Sequence, residues 1–253
     1  MQARWIRLSR PRRFLLDLLH FARQVPTVPV QRRMALATLV AARNSVPDRP
    51  CWPAVFLKAY SLVAAEFPPL RRAFLGFPWP HLREYPTTVA SIAVEREYCG
   101  ESCVFFGRIS DPGNLPLPEV DGRIRVFAEA PVETVRPFRK MLAVAALPRL
   151  LRRALLWLGL NMPRTRPGQF GTFGLSVYSS LGAESLHPLS PLTTTVTYGV
   201  IDPDGTVTVR LIYDHRVFDG TTAARVLGRL EEVLNGPILA ELRSLASAPR
   251  VAA

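Results

Sequence analysis

The tightest constraint on the fold lies in residues 193–235. Two β-branched, apolar runs, Thr193–Ile201 and Thr206–Tyr213, flank Asp202-Pro203-Asp204-Gly205. Asp, Pro and Gly each favour turn backbone, so the spacing predicts a β-hairpin. The second run stops at Asp214-His215-Arg216, and just past Asp219-Gly220 an amphipathic helix is expected over residues 221–235, with a short helix after Pro237. A helix that follows a buried strand must pack back onto the sheet, so the chain reads as an α+β domain.

The remaining segments fit that class. Residues 1–30 read as an Arg-rich arm with one amphipathic helix, Arg13 to Arg23, and an extended connector through Pro26 and Pro29. Residues 31–44 have helical apolar spacing. A strongly apolar helix is expected over 53–66, with Pro53 at its start and Pro68-Pro69 past its end. Thr87–Arg96, Ser102–Ile109, Arg123–Ala128 and Gly171–Ser179 read as strands, and 110–121 as a turn-rich loop. A helical region runs from Val132 to Leu160 with a break at Pro148. There is no internal repeat, so the organisation expected is an arm (1–30), one domain (31–246) and a tail (247–253).

Composition narrows the class further. With 48% hydrophobic residues in 253, the chain is too apolar to be disordered. Three cysteines do not make a disulfide scaffold, and Cys99 and Cys103 lack the two-residue gap of a zinc knuckle. No metal site is expected, and a reducing, cytoplasmic setting is. The arginines near Ser9 resemble a twin-arginine signal only faintly, because Asp17, His20 and Arg23 interrupt the apolar stretch that follows. The net charge of +12 is carried almost wholly by arginine, with lysine only at positions 58 and 140. It is also localised: residues 1–33 carry +7 and residues 136–166 carry +8, leaving the rest at −3. That distribution argues against a nucleic-acid binder and points to two local anion-facing elements. Their partner would be an anionic ligand, an acidic protein or a lipid surface. The apolar stretch 141–162, with Arg149, Arg152 and Arg153 inside it, is open to three readings: a helix packing on its own sheet or on a neighbouring copy, a hydrophobic pocket or lid, or a membrane-surface helix.

The chemistry concentrates at the end of the second strand. A histidine held at a strand terminus can take and return a proton near neutral pH. Asp219, four residues on, is brought close by a tight turn, and Gly220 is expected to permit the backbone approach that such a turn needs.

The stretch Asp214-His215-Arg216-Val217-Phe218-Asp219-Gly220 resembles the D-H-R-x-x-D-G signature of the acyltransferase core of 2-oxo-acid dehydrogenase complexes, within the chloramphenicol-acetyltransferase-like superfamily. Gly171-Thr172-Phe173-Gly174-Leu175-Ser176 resembles that family's G-T-F-T strand. Residues 32–43 and 57–72 resemble two of its helices, with Arg71 where asparagine is usual. The resemblance implies a two-layer sandwich with a mixed sheet flanked by helices, assembled as a homotrimer with active sites between subunits. It also implies an enzyme. His215 would be the general base, and the Ser176 hydroxyl would stabilise the oxyanion. Asp219 would pair with Arg32 or Arg33, while Asp214 and Arg216 shape the loop. The donor would be an acyl-CoA or acyl-carrier thioester, with coenzyme A as co-substrate and no permanently bound cofactor. No lipoyl or subunit-binding domain is recognisable, and the C-terminus is not the apolar tail of the cage-forming cores, so a simple trimer is expected. A non-catalytic trimeric scaffold, or a partner- or membrane-binding relative, is the alternative; the joint presence of His215, Ser176 and Asp219 argues against it.

Overall fold

A computed structural model describes residues 3–247. From the N-terminus, α1 (Arg10–Ala22) leads into β1 (Thr27–Ala35), α2 (Ala37–Ser45) and α3 (Trp52–Glu66). A small hairpin, β2 (Arg72–Leu75) and β3 (His81–Glu84), precedes β4 (Val89–Tyr98) and β5 (Glu101–Ser110). Four helices follow: α4 (Leu117–Glu129), α5 (Arg136–Ala146), α6 (Arg149–Asn161) and α7 (Arg166–Phe170). Then come β6 (Phe173–Leu175), β7 (Thr194–Tyr198), β8 (Thr206–Asp214), α8 (Gly220–Val233) and α9 (Leu239–Ser247).

Six strands form one mixed sheet in the order β1-β8-β7-β6-β4-β5. β1, β8 and β7 pair antiparallel, as do β4 and β5. The three residues of β6 join these two pieces, running parallel to β4 on one side and β7 on the other. Gly171 sets up the junction: its φ is +94°, and a Cβ there would sit 2.9 Å from the Val89 carbonyl oxygen. Thr172 then clasps Val89 with its hydroxyl, which accepts from the Val89 N–H at 2.9 Å and donates to the Val89 carbonyl at 3.2 Å. Helix α3 lies across the joined sheet. Phe56 stacks on Tyr198 of β7 at 4.0 Å, Tyr60 packs on Phe173 of β6 at 4.7 Å, and the Tyr60 hydroxyl donates to Thr194. The hairpin turn forms as the sequence predicts, with Gly205 at φ +80° against Ala37.

Several segments differ from the sequence expectation; the strand read over Gly171–Ser179 is strand only at Phe173–Leu175. The helix read over 31–44 is strand up to Ala35 and helix only from Ala37. Residues 27–35 pair with the full length of β8, and that ladder overrides a helical apolar spacing too short to stand alone. The extended connector at Pro26–Pro29 is the start of the same strand. Arg123–Ala128 is not a strand but the end of α4, which also takes in part of the loop expected over 110–121. Leu117, Val120, Ile124 and Phe127 recur at helical spacing and are all buried, and Pro118 sits in the first turn where its missing N–H costs nothing. The chain also does not break at Asn235-Gly236-Pro237. It passes through one π-turn, which absorbs the N–H that Pro237 lacks, and continues into α9.

The two basic segments of the sequence meet in space. Phe14, Leu18 and Ala22 of α1 are buried, and Asp17 on the same helix takes both Arg152 Nε at 2.7 Å and Arg153 Nε at 2.9 Å from α6. Burial alone would raise the Asp17 carboxyl. The hydrogen bonds from Arg153 and Arg152 more than offset it and hold the group below the ordinary carboxylate value. The outer side of α6 leaves Leu150, Leu151, Leu155, Trp157 and Leu158 exposed.

Two outcomes follow from this packing. Asp17→Asn strands two guanidinium groups and should destabilise the fold by about 3 kcal/mol at pH 7. Because the folded carboxyl titrates below the unfolded one, the stabilisation is complete above the unfolded value and disappears as pH falls through the folded one. Denaturant melts of the two proteins should therefore begin to converge as pH falls below about 4. Thr172→Val removes both hydroxyl bonds to Val89, leaving only the bond from its own N–H to the Val89 carbonyl, and should cost roughly 2 kcal/mol by the same measurement.

Candidate functional site

β8 delivers His215 to the sheet's end, and three local interactions fix the turn beyond it. Asp214 is buried; its Oδ1 accepts from the Arg216 N–H at 3.0 Å and from Arg216 Nε at 2.9 Å, and its Oδ2 accepts from Arg216 Nη2 at 2.7 Å. The Arg216 guanidinium lies 4.2 Å over the Phe74 ring. The His215 N–H donates to the Pro26 carbonyl at 3.1 Å, which ties the turn to the chain entering β1. Asp214 and Arg216 thus hold the loop's shape. The His215 side chain is half-exposed, with Nδ1 3.3 Å from Asp219 Oδ1. A carboxylate in that place favours the tautomer that keeps the proton on Nδ1 and leaves Nε2 free to accept one.

Asp219 is not paired with the arginines expected for it. Arg32 Nε binds Glu231 at 2.7 Å, and Arg33 Nη2 reaches Asp202 at 3.4 Å. The register explains why. Arg32 and Arg33 face Val209 and Thr208, whereas the strand end at Asp214 faces Thr27, so both arginines lie far down β1 from the turn. Gly220 is not required by its backbone either: a Cβ there would meet only the Tyr213 hydroxyl at 3.4 Å, an ordinary contact.

Ser176 follows β6 directly and is buried, its N–H donating to the Val196 carbonyl at 3.2 Å. Its side chain faces a cavity of 260 Å³ on the side of the sheet away from α3. The walls are Phe14 and Leu18 of α1, Val104, Phe106 and Arg108 of β5, Met141 of α5, and the loop 188–192. His215 is not among the cavity's lining residues. Leu175, Val196 and Leu211 are in register, so Ser176 is level with Arg210, while His215 lies five residues further along β8. At about 3.3 Å per residue, that separates the two backbones by about 17 Å along the strands, besides the two strand widths across the sheet. A single chain therefore holds the histidine and the serine at opposite ends of the same strands.

Two residues of this region carry no signal in a motif search. Arg166 donates to the carbonyls of Phe74 (3.1 Å), Leu160 (3.1 Å) and Pro191 (2.9 Å), and so fixes the cavity's loop wall to the β2–β3 hairpin. Arg108 projects from β5 into the cavity. The one hint to it in the sequence is a charge inside the otherwise uncharged run Cys103–Ile109. Arg71, the departure from the family's asparagine, donates to the carbonyls of Ala64, Tyr85 and Pro86 and braces the hairpin.

No protein-family model matches the chain, and neither does any curated protein. Solved structures do match it over nearly its whole length. The dihydrolipoamide acetyltransferase of Azotobacter vinelandii is 19% identical with a TM-score of 0.68, covering 94% of this chain and 94% of that one. A probable dihydrolipoamide acetyltransferase from Listeria monocytogenes is 17% identical with a TM-score of 0.64, covering 92% and 94%. A chloramphenicol acetyltransferase is 14% identical with a TM-score of 0.51, covering 90% and 96%. The chain has the α+β fold of the dihydrolipoamide acetyltransferase catalytic cores, itself related to that of chloramphenicol acetyltransferase.

Proposed function

We propose that this protein is a CoA-dependent acyltransferase whose active site is completed by a second copy of the chain. The observation that carries this reading is the placement of Ser176 on the wall of an apolar cavity, with His215 half-exposed at the other end of the strands. A cyclic trimer would bring one copy's histidine to its neighbour's serine. The fold supports the reaction class, and the Azotobacter vinelandii enzyme was itself investigated for the catalytic roles of a serine, a histidine and an asparagine four residues after that histidine. Here the last position holds Asp219.

In this mechanism His215 Nε2 takes the proton from the acceptor's thiol, hydroxyl or amine, and Asp219 keeps the Nδ1 proton in place. The freed nucleophile attacks the thioester carbonyl, forming a new bond to its carbon and pushing the π electrons onto oxygen. The Ser176 hydroxyl donates to that oxyanion. The tetrahedral adduct collapses, the carbon–sulfur bond breaks, and the CoA thiolate takes the proton back from His215. The acyl group ends on the acceptor, and no oxidant or metal is consumed.

Thiol release from acyl-CoAs tests the assignment. His215→Ala should lower kcat by about 10²–10⁴, and Ser176→Ala by about 10²–10³. If either variant turns over like the wild type, that residue's role is wrong. Co-expression of the two variants tests the shared site. In a ring of randomly mixed subunits about a quarter of the sites regain both groups, so the mixture should recover about a quarter of wild-type activity. A mixture as inactive as its parts would mean that both groups act within one chain.

A further inference from the structure

The cavity beside Ser176 contains a cation that the fold does not neutralise. Ser91 pairs with Arg108 on one side and with Gly174 on the other, so Arg108, Ser91 and Gly174 form one row across β5, β4 and β6. All three line the cavity, as does Ser176 two residues beyond Gly174. Among the described residues the Arg108 guanidinium makes one hydrogen bond, from Nη1 to the Gln169 carbonyl at 2.7 Å, and no carboxylate lies within ion-pair distance of it. The other inward-facing arginines differ. Arg152 is bound to Asp17, Arg210 to Glu184, and Arg166 spends its donors on three carbonyls. Arg108 is left with most of its five donors free, among Phe14, Leu18, Val104, Phe106 and Met141.

A guanidinium keeps its charge even where burial pulls its pKa down, as it does here. Desolvating it without a counter-ion is unfavourable, and the planar fork of donors suits a carboxylate. The geometry also sets how far that carboxylate would be from the reacting carbon. Ser176 lies two strands across and two residues along from Arg108, about 12 Å between Cα atoms. The arginine side chain spans part of that interval, leaving room for a short chain. The volume agrees: 260 Å³ exceeds the roughly 150 Å³ that holds a benzene ring but is too small for a long fatty chain.

Resting on the acyltransferase reading above, we propose that the cavity binds a short aliphatic acyl group with a carboxylate at its far end. The thioester carbonyl sits at Ser176 and the terminal carboxylate on Arg108. The preferred donors are then half-thioesters of short dicarboxylic acids, and Arg108 is the residue that selects them.

The test compares glutaryl-CoA with valeryl-CoA, which share a five-carbon acyl chain and differ in the terminal carboxylate. Calorimetric binding to the full-length protein without acceptor should favour glutaryl-CoA by at least about tenfold. Arg108→Met should abolish that preference by weakening glutaryl-CoA alone, and Arg108→Lys should keep part of it. Equal affinities in the wild type overturn the proposal, as does an Arg108→Met variant that weakens both thioesters alike. If instead only a carboxylated acceptor loses affinity in Arg108→Met, the carboxylate belongs to the acceptor and the acyl assignment is wrong. Should Arg108→Met fail to fold, the wild-type ratio and Arg108→Lys decide. Turnover measured in parallel keeps the two readings separate: preference without turnover sinks the acyltransferase activity, and turnover without preference sinks this inference.

Discussion

Three residues hold the sheet together. Without β6, the antiparallel set β1-β8-β7 and the β4–β5 hairpin would be two separate pieces. The strand can enter between them because Gly171 adopts a left-handed φ against the Val89 carbonyl and Thr172 clasps both polar groups of Val89. Once β6 is seated, alternation sends Phe173 and Leu175 toward α3 and Gly174 and Ser176 to the other face. The buried aromatic packing of α3 and the position of the serine are therefore two consequences of one junction. The Gly171–Ser176 motif is a structural device before it is a chemical one.

The antiparallel course of β8 has the opposite consequence for His215. β6 and β8 run in opposite directions, so the ends that carry Ser176 and His215 point away from each other. Nothing short of a fold rearrangement could bring them together within one chain. In the trimer proposed above, a rotation axis would place one subunit's strand end against another's cavity. The small turn at 214–219 suits this geometry. Asp214 is buried and pins the Arg216 guanidinium beside it, while His215 and Asp219 are presented outward.

The excess of arginine is not one property with one cause. Arg152 and Arg153 serve the fold by closing α6 onto Asp17, and Arg166 and Arg71 brace loops through carbonyl oxygens. These groups have partners within the chain. Among the described residues Arg108 has no countercharge in the cavity that also holds the serine, and for that reason it stands apart from the general basicity.

Much of the architecture could be read from residues alone. The turn at 202–205, the strand running up to Asp214, the helices read over 13–23, 53–66 and 221–235, and the break at Pro148 all follow from local turn chemistry and periodicity, which operate over a few residues. Short segments depart from local periodicity where two periods compete. Residues 31–35 became strand because β8 offers a ladder, and 123–128 became helix because Val120, Ile124 and Phe127 share a buried stripe. The candidate site divides in the same way. His215, Ser176 and Asp219 are visible as a pattern of residue types. The partner of Asp219, the separation of His215 from Ser176 and the uncompensated charge of Arg108 depend on strand register and on which face of the sheet a residue occupies. Those are properties of long-range pairing, which no local stretch of the sequence specifies and only the tertiary structure decides.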